Sequence, residues 1–349
     1  MQLLTDDKLN EYKEFLKNHP RANFAQYPEW AKLKDMWKNE VVLSLDENGK
    51  IKGSMSLLIR KVPFFNSTLM YSQRGPVCDI YDKETMAELI SSAKELAKKH
   101  KSYVLKIDPD IEKGDEKFKN IMTDLGFKII EAKDFEAIQP NVVVKKNIKG
   151  MTEEEVFDSF HSKHRYNIRL SIKKGCSVEI GKREDLKVFH DVMVETGLRD
   201  GFMPRSLEYF EKMYDSLGDM MRLYLVKYEG EVISGAISIL YGNTVCYLYG
   251  ASSNKNRNAM PNYLMQWEMM KWAIEENCDI YDFRGVPSDA DETNGLLRFK
   301  MGFNAERVEY VGTLDYVFNP FMYFLVEKGE KTYRELRRRF YLKKNKGGQ

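Results

Sequence analysis

The 349-residue chain contains one supersecondary unit twice, and that repeat restricts its possible folds more than any other feature. The stretch Val41 to Leu58 reads as a strand, a turn at Asp46-Glu47-Asn48-Gly49, and a second strand with Gly53 near its start. Leu223 to Leu240 has the same form, with Glu229-Gly230 at the turn and Gly235 near the start of the second strand. A third strand follows each pair, Thr68 to Gln73 and Thr244 to Gly250. A helix comes next. The first, about Lys83 to Lys99, places Met86, Leu89, Ile90, Ala93, Leu96 and Ala97 at helical spacing. The second, about Pro261 to Glu276, places Tyr263, Trp267, Met270 and Ile274 along one face. A strand closes each copy, Tyr103 to Asp108 and Asp279 to Phe283. Repetition on this scale implies a duplicated architecture.

The length also exceeds one ordinary core, so two domains are expected. The boundary falls between Gln139-Pro140-Asn141 and Lys149-Gly150-Met151, which flank a short strand, Val142-Val143-Val144. Thr152-Glu153-Glu154-Glu155 then opens a new helix. A second turn at Asn319-Pro320 sends the chain into a terminal helix. The expected domains are therefore 1–145, completed by a C-terminal helix within 316–349, and 146–315. Antiparallel strands, a helix and a further strand form the core order of the GNAT-type acyltransferase fold. The expected class is α+β, with two tandem GNAT-like domains. Between Met151 and Asp315 there is no room for a long pair of heptad-patterned helices, so no coiled-coil arm is expected.

Several function classes are excluded. With Lys+Arg at 55 and a net charge of +2, the chain is no polycation, so any nucleic-acid affinity must be local. Cys78, Cys176, Cys246 and Cys278 lack the spacing of a zinc site or a disulfide frame. Acids at Asp6 and Asp7 argue against a signal peptide. The uncharged run Val232 to Asn254 has Gly242-Asn243 at its centre, which suits two strands about a tight turn rather than a spanning helix. A cytoplasmic location is expected. Neither Gln73 to Val77 nor Ala251 to Pro261 supplies the Gly-rich loop that coenzyme A pyrophosphate needs, and no Walker, G-x-S-x-G or dinucleotide motif occurs. No cofactor and no metal are expected.

The chemistry concentrates at Gly295 to Asn304. There Lys300 lies between Phe299 and Phe303, just past the strand-like Ile280 to Gly285. A cation beside apolar walls interacts strongly with developing negative charge. The Phe299-Lys300 pair resembles a signature of the FemABX peptidyltransferases. Other stretches are similar to that family in the same order: Gln26 to Lys34, Ser72 to Val77, Tyr103 to Pro109, Pro204 to Phe210, Tyr247 to Gly250, and Glu309 to Gly312 ahead of Asp315. The absent arm makes the chain resemble the short FemX type.

That resemblance implies a tRNA-dependent peptidyltransferase. It would transfer an amino acid from aminoacyl-tRNA to the stem-peptide amine of a peptidoglycan precursor, either UDP-MurNAc-pentapeptide or a lipid-linked form. Peripheral membrane contact would accompany a lipid-linked acceptor. The first domain would bind precursor and the second would face the aminoacyl-tRNA. Lys34 and Arg205 match positions that bind the precursor diphosphate, chemistry suited to a point charge and a bidentate fork. Tyr209, Tyr247 and Tyr249 would line the groove, the last two on one strand face. Arg74 falls in a matching motif and is placed with the substrate-binding residues. Lys300 would stabilise the oxyanion and Phe299 would wall the site. Asp108 either accepts the amine proton or serves as a structural carboxylate at the turn before Pro109. Two other readings stay open: an acyl-CoA-dependent N-acyltransferase with a degenerate phosphate loop, and a non-catalytic RNA-binding protein. The second would use the basic helix Phe160 to Lys174 and the tail Lys331 to Lys346. His161 and His164 are too few for a metal site.

Overall fold

The computed structural model describes residues 1–130 and 139–329. In chain order the first elements are β1 (Gln2–Leu3), α1 (Leu9–Asn18), α2 (Pro28–Ala31), β2 (Lys38–Leu45), β3 (Ile51–Lys61), β4 (Thr68–Ser72), α3 (Lys83–His100), β5 (Ser102–Ile107), α4 (Glu116–Asp124) and β6 (Lys128–Ile130). There follow β7 (Val142–Asn147), α5 (Glu153–Asp158), α6 (Ser162–Lys173), β8 (Ser177–Gly181), α7 (Leu186–Asp200), α8 (Leu207–Leu217), β9 (Met221–Tyr228), β10 (Glu231–Tyr241) and β11 (Thr244–Ser252). The last are α9 (Pro261–Glu275), β12 (Ile280–Gly285), α10 (Gly295–Met301), β13 (Glu306–Glu309) and β14 (Thr313–Val317), with residues 320–329 helical after them.

Two seven-stranded sheets carry the fold, ordered β1-β2-β3-β4-β5-β14-β6 and β13-β7-β12-β11-β10-β9-β8. Each is built by the same rule. Three antiparallel strands (β2-β3-β4, β9-β10-β11) lead into a helix that returns to form a parallel pair, β4 with β5 and β11 with β12. An antiparallel strand then covers the far side, β14 against β5 and β7 against β12. The duplicated α+β, tandem GNAT-like architecture expected from sequence is therefore present. The covering strand follows the first unit's crossover helix α3 in the chain but precedes the second's, α9.

The chain divides into one compact unit of Met1–Val142 with Glu309–Glu330, and a second whose described part is Val143–Val308. The sequence reading placed Asp315 in the second domain. β14 starts at Thr313 and joins the first sheet, and Asp315 lies fully buried there, bonded to Lys106 at 2.7 Å.

Helix signals act as written. Asp82 caps α3 by accepting from the backbone N–H groups of Glu84 and Thr85. The six apolar positions named above are its buried face. Thr152 and Glu155 form a reciprocal capping box on α5. Gly242-Asn243 makes the tight turn between β10 and β11, with Tyr241 paired to Thr244. Among the described residues no helix is long and apolar enough to cross a membrane.

α9 departs from expectation. Its buried set is Pro261, Leu264, Met265, Gln266, Trp267, Met269, Met270, Trp272 and Ala273, nearly the whole circumference, while Tyr263 and Ile274 are only half-buried. A single stripe fits a helix with one covered side. This helix has the sheet on one side and α5–α6 on the other, where Trp267 meets Phe157 at 5.3 Å and Tyr263 meets His164 at 4.9 Å.

Candidate active site

The second unit's site begins where β11 and β12 part. Their parallel pairing ends at Cys246–Asp282, and the β12–β7 ladder is irregular between Asp282 and Gly285. Arg284 adopts a left-handed φ of 61°, and its N–H donates to the Asp282 carboxylate at 2.7 Å. The carbonyls of Phe283, Arg284 and Gly285 converge at this irregularity and call for donors, since an unpaired buried carbonyl costs free energy. Lys300 on α10 supplies them. Its ammonium donates to Phe283 O at 2.7 Å, Arg284 O at 3.2 Å and Gly285 O at 2.7 Å, and the residue is 4% exposed. Burial pushes its pKa down to about 7, with Asp282 opposing.

Phe299 is half-buried within an aromatic cluster. Its ring meets Tyr263 at 5.0 Å and Phe303 at 5.4 Å, and its carbonyl is within 2.9 Å of His164 Nε2. His164 is a buried core residue, and α6 presents only part of its basic sequence to solvent. Among the described residues no group of His, Cys, Asp and Glu is placed to hold a metal. The tail Lys331 to Lys346 lies outside the described residues.

A second cluster in this unit joins Arg205, Tyr209 and Tyr249. Ser206 caps α8, so the exposed Arg205 sits just before the helix and Tyr209 one turn into it; the Arg205 guanidinium lies 5.1 Å from the Tyr209 ring centre. Tyr249 packs edge-on against Phe210 at 5.1 Å. Burial pushes the Tyr209 phenol above its ordinary range, and nearby Tyr249 adds to the shift.

Tyr247 does not share that face. A bulge in β11 leaves Tyr249 opposite Ile237 but Tyr247 opposite Ser238, and adjacent residues of β10 point to opposite sides. The extra residue cancels the period-2 rule on which the expectation rested. Tyr247 instead folds over Gly250, where an added Cβ would lie 1.6 Å from its hydroxyl oxygen. Burial pushes its phenol up to about 12.

The first unit holds Asp108 and Arg74 in one network. Asp108 is 2% exposed; its carboxylate accepts from Tyr71 Oη at 2.5 Å and from Arg74 N at 2.7 Å. Burial pushes its pKa up to about 6, with the Arg74 guanidinium opposing. Arg74, 3% exposed, pairs with Asp110 at 3.1 Å, donates to Pro140 O at 2.8 Å and stacks 5.1 Å from the Tyr310 ring centre. Lys34 is half-buried with its ammonium 4.4 Å from the Trp30 ring centre. Seven of the nine candidate residues form three groups: Asp108 with Arg74, Lys300 with Phe299, and Arg205 with Tyr209 and Tyr249.

Sequence reasoning missed the three carbonyls, because backbone atoms carry no residue signature. It also missed Tyr71 and Asp110 as partners of the first network, and Lys146. Lys146 is 2% exposed on β7 and donates to Ser159 Oγ at 2.8 Å and Asn304 O at 3.2 Å. Burial pushes its pKa down to about 8. Above that value the folded chain releases a proton that the unfolded chain still holds, so this group adds stability as pH rises towards the ordinary lysine value. Lys146→Met removes that gain. Urea melts of variant and wild type at about pH 7 and about pH 10 are expected to differ in the wild type's favour by more at the higher pH; an unchanged difference would refute the assignment.

Comparison with known proteins identifies the family and the fold. The FemAB family model matches residues 8–229 and 226–331. A lipid II:glycine glycyltransferase of Staphylococcus epidermidis is 36% identical over 392 aligned positions, covering 91% of this chain and 93% of that protein. The Staphylococcus aureus enzyme of the same description is 33% identical over 397 positions, covering 91% and 93%. Both alignments are longer than this whole chain, so both relatives carry extra residues opposite gaps. A crystal structure described as FemX superposes with a TM-score of 0.85 at 31% identity, covering 94% of this chain and all of that one. A tandem GNAT protein of clavulanic acid biosynthesis shares the fold, with a TM-score of 0.56 at 10% identity over 91% of this chain and 98% of its own. With the family model spanning nearly the whole sequence and the expected motifs in order, the chain belongs to the FemAB family.

Proposed function

We propose that the protein transfers glycine from glycyl-tRNA to the stem-peptide amine of lipid II, forming part of an interpeptide bridge. The observation that carries this reading is near full-length similarity to proteins described as lipid II:glycine glycyltransferases. In the reaction the amine nitrogen attacks the ester carbonyl, a C–N bond forms, and the C–O bond to the terminal ribose breaks. The amine proton passes to the departing ribose oxygen. Within the first unit, Arg74 holds Asp108 in place while enclosed by its own partners.

Lys300 supplies positive charge at the oxyanion. Its three protons are engaged, so the developing oxyanion replaces the Arg284 carbonyl, the longest of the three contacts at 3.2 Å. Arg205 takes a phosphate of the precursor, with Tyr209 and Tyr249 beside it as an apolar wall and Tyr247 on the opposite strand face.

The test incubates the protein with lipid II and charged tRNAs and reads the acceptor by mass spectrometry. A mass gain of one glycine residue supports the reading. No gain with any charged tRNA, on lipid II or on UDP-MurNAc-pentapeptide, overturns it. Arg205→Ala is expected to raise the KM for the precursor roughly ten-fold with a much smaller change in kcat, as loss of one phosphate contact would. Steady-state kinetics at varied acceptor concentration measure both.

A further inference from the structure

The first unit carries an exposed apolar surface that the transfer reaction does not use. Its first part is the turn between β3 and β4. Val62 N donates to Ser67 O at 3.0 Å and Phe65 N to Val62 O at 3.3 Å, closing the loop. At its tip Phe64 has a φ of +67°, a conformation in which glycine is the ordinary choice. Its side chain is fully exposed, and Phe65 beside it is 45% exposed. Backbone strain therefore coincides with a large ring held out in water. Both are unfavourable in an isolated chain, and strain of this kind concentrates at sites of function.

The second part is helix 320–329. Its inner side packs normally: Met322, Tyr323 and Val326 lie with Val62 against Leu69, Tyr103 and Val104. Its outer side ought then to be polar. Instead it presents Phe321 at 70% exposure, with Phe324 and Leu325 also exposed. The two parts adjoin, because Phe65, Asn66 and Ser67 line one shallow hollow together with Lys101, Asn319 and Met322.

Charge identifies the occupant. Exposed Lys61 and Lys101 flank the turn, and Lys328 Nζ stands 4.3 Å from the Phe324 ring centre. From Arg60 to Leu69 the sequence has no acid. Glu327, on the same helix, is drawn to Lys106 at 3.1 Å. Projecting aromatic rings among lysines match the boundary between anionic headgroups and acyl chains. Rings enter the apolar side while long basic side chains remain among phosphates. Five large apolar side chains exposed on these two adjoining segments are more than the singly scattered exposed residues of an ordinary surface.

We propose that this surface, Phe64 and Phe65 with Phe321, Phe324 and Leu325, docks the protein on a bilayer containing anionic phospholipid. The proposal stands on the surface alone and does not depend on which group is transferred.

The test is co-sedimentation with vesicles of phosphatidylcholine containing roughly 30 mol% phosphatidylglycerol, and with phosphatidylcholine alone. Wild type is expected to bind the anionic vesicles, and to bind less in high salt. The double variant Phe64→Ser/Phe65→Ser is expected to lose at least roughly ten-fold in binding, and Phe321→Ser/Phe324→Ser a similar amount. All four side chains are exposed, so unchanged thermal melting checks that the fold persists. Phe65→Trp is expected to shift its emission to the blue when anionic vesicles are added. Absence of wild-type binding would overturn the proposal, as would binding that both double variants retain. Concentration-dependent self-association that Phe64→Ser/Phe65→Ser abolishes, without vesicle binding, would assign the surface to a second copy and overturn it too. The readout requires no turnover, so its failure is distinct from failure of the transfer reading.

Discussion

Lys300→Met is expected to lower kcat by roughly 10²–10³-fold, the loss that follows removal of one oxyanion-stabilising group. The KM for the acceptor should change little, because the side chain reaches the acceptor only as the tetrahedral centre forms. A structural cost accompanies the kinetic one. Methionine removes this donor from the carbonyls of Phe283, Arg284 and Gly285, at about 1–3 kcal/mol for each left unpaired where water cannot enter. Lys300→Arg should rescue little, since a flat guanidinium does not fit three carbonyls converging on a point. The pH profile separates a charge role from a purely structural one. Burial depresses the Lys300 pKa to about 7, so a step needing the charged amine slows as pH rises through that value. Wild type should show this descending limb and Lys300→Met should lack it. Equal profiles in the two proteins would refute the charge role, even if the variant were slow.

Gly302→Ala should have the largest effect on stability. Gly302 ends α10 with an ordinary helical φ of −66°, so it is not glycine for its backbone. The reason is space. An added Cβ would lie 1.9 Å from His164 Cε1 and 2.3 Å from its Nε2, and the imidazole is hemmed in by Tyr263, Phe299 and Phe303. Relief requires α6 and α10 to separate, which breaks the His164–Phe299 contact of 2.9 Å and moves Lys300 off its carbonyls. A loss of about 3–5 kcal/mol is expected, with a parallel fall in activity. His164→Ala opens that space, so the double variant His164→Ala/Gly302→Ala should be more stable than Gly302→Ala alone. Urea unfolding of the four proteins closes the cycle. A double variant no more stable than Gly302→Ala would show that the clash is not with His164.

The repeat was legible because each element carried its own local signal. Alternating strands, acidic-Gly turns, the Asp82 cap and the Thr152–Glu155 box need only neighbours in sequence, and they set the element order of both units. Where an element's surroundings mattered, local signals fell short. The apolar period of α9 pointed to one covered side, and the packing of α5 and α6 covered the other. The Tyr247–Tyr249 pair failed for a related reason. Alternation holds along a regular strand, and nothing in Thr244 to Gly250 announces the bulge that comes where β11 leaves β12.

The candidate residues divide in the same way. Phe299-Lys300, Asp108, Arg74, Arg205 and the tyrosines could be named because charged and aromatic side chains in ordered motifs are visible in a linear text. Their partners could not. The Lys300 ammonium is held by three carbonyls, and Arg74 by a carboxylate 36 residues away and by Tyr310 from the far end of the chain. By itself the sequence determined the duplicated α+β plan, the family and the side chains available for chemistry, since these follow from local propensity and motif order. Only the tertiary structure decided which of those side chains meet, how deeply each charge is buried and which faces stay bare. Those depend on where strands part, bulge or end, and on contacts between segments far apart in sequence.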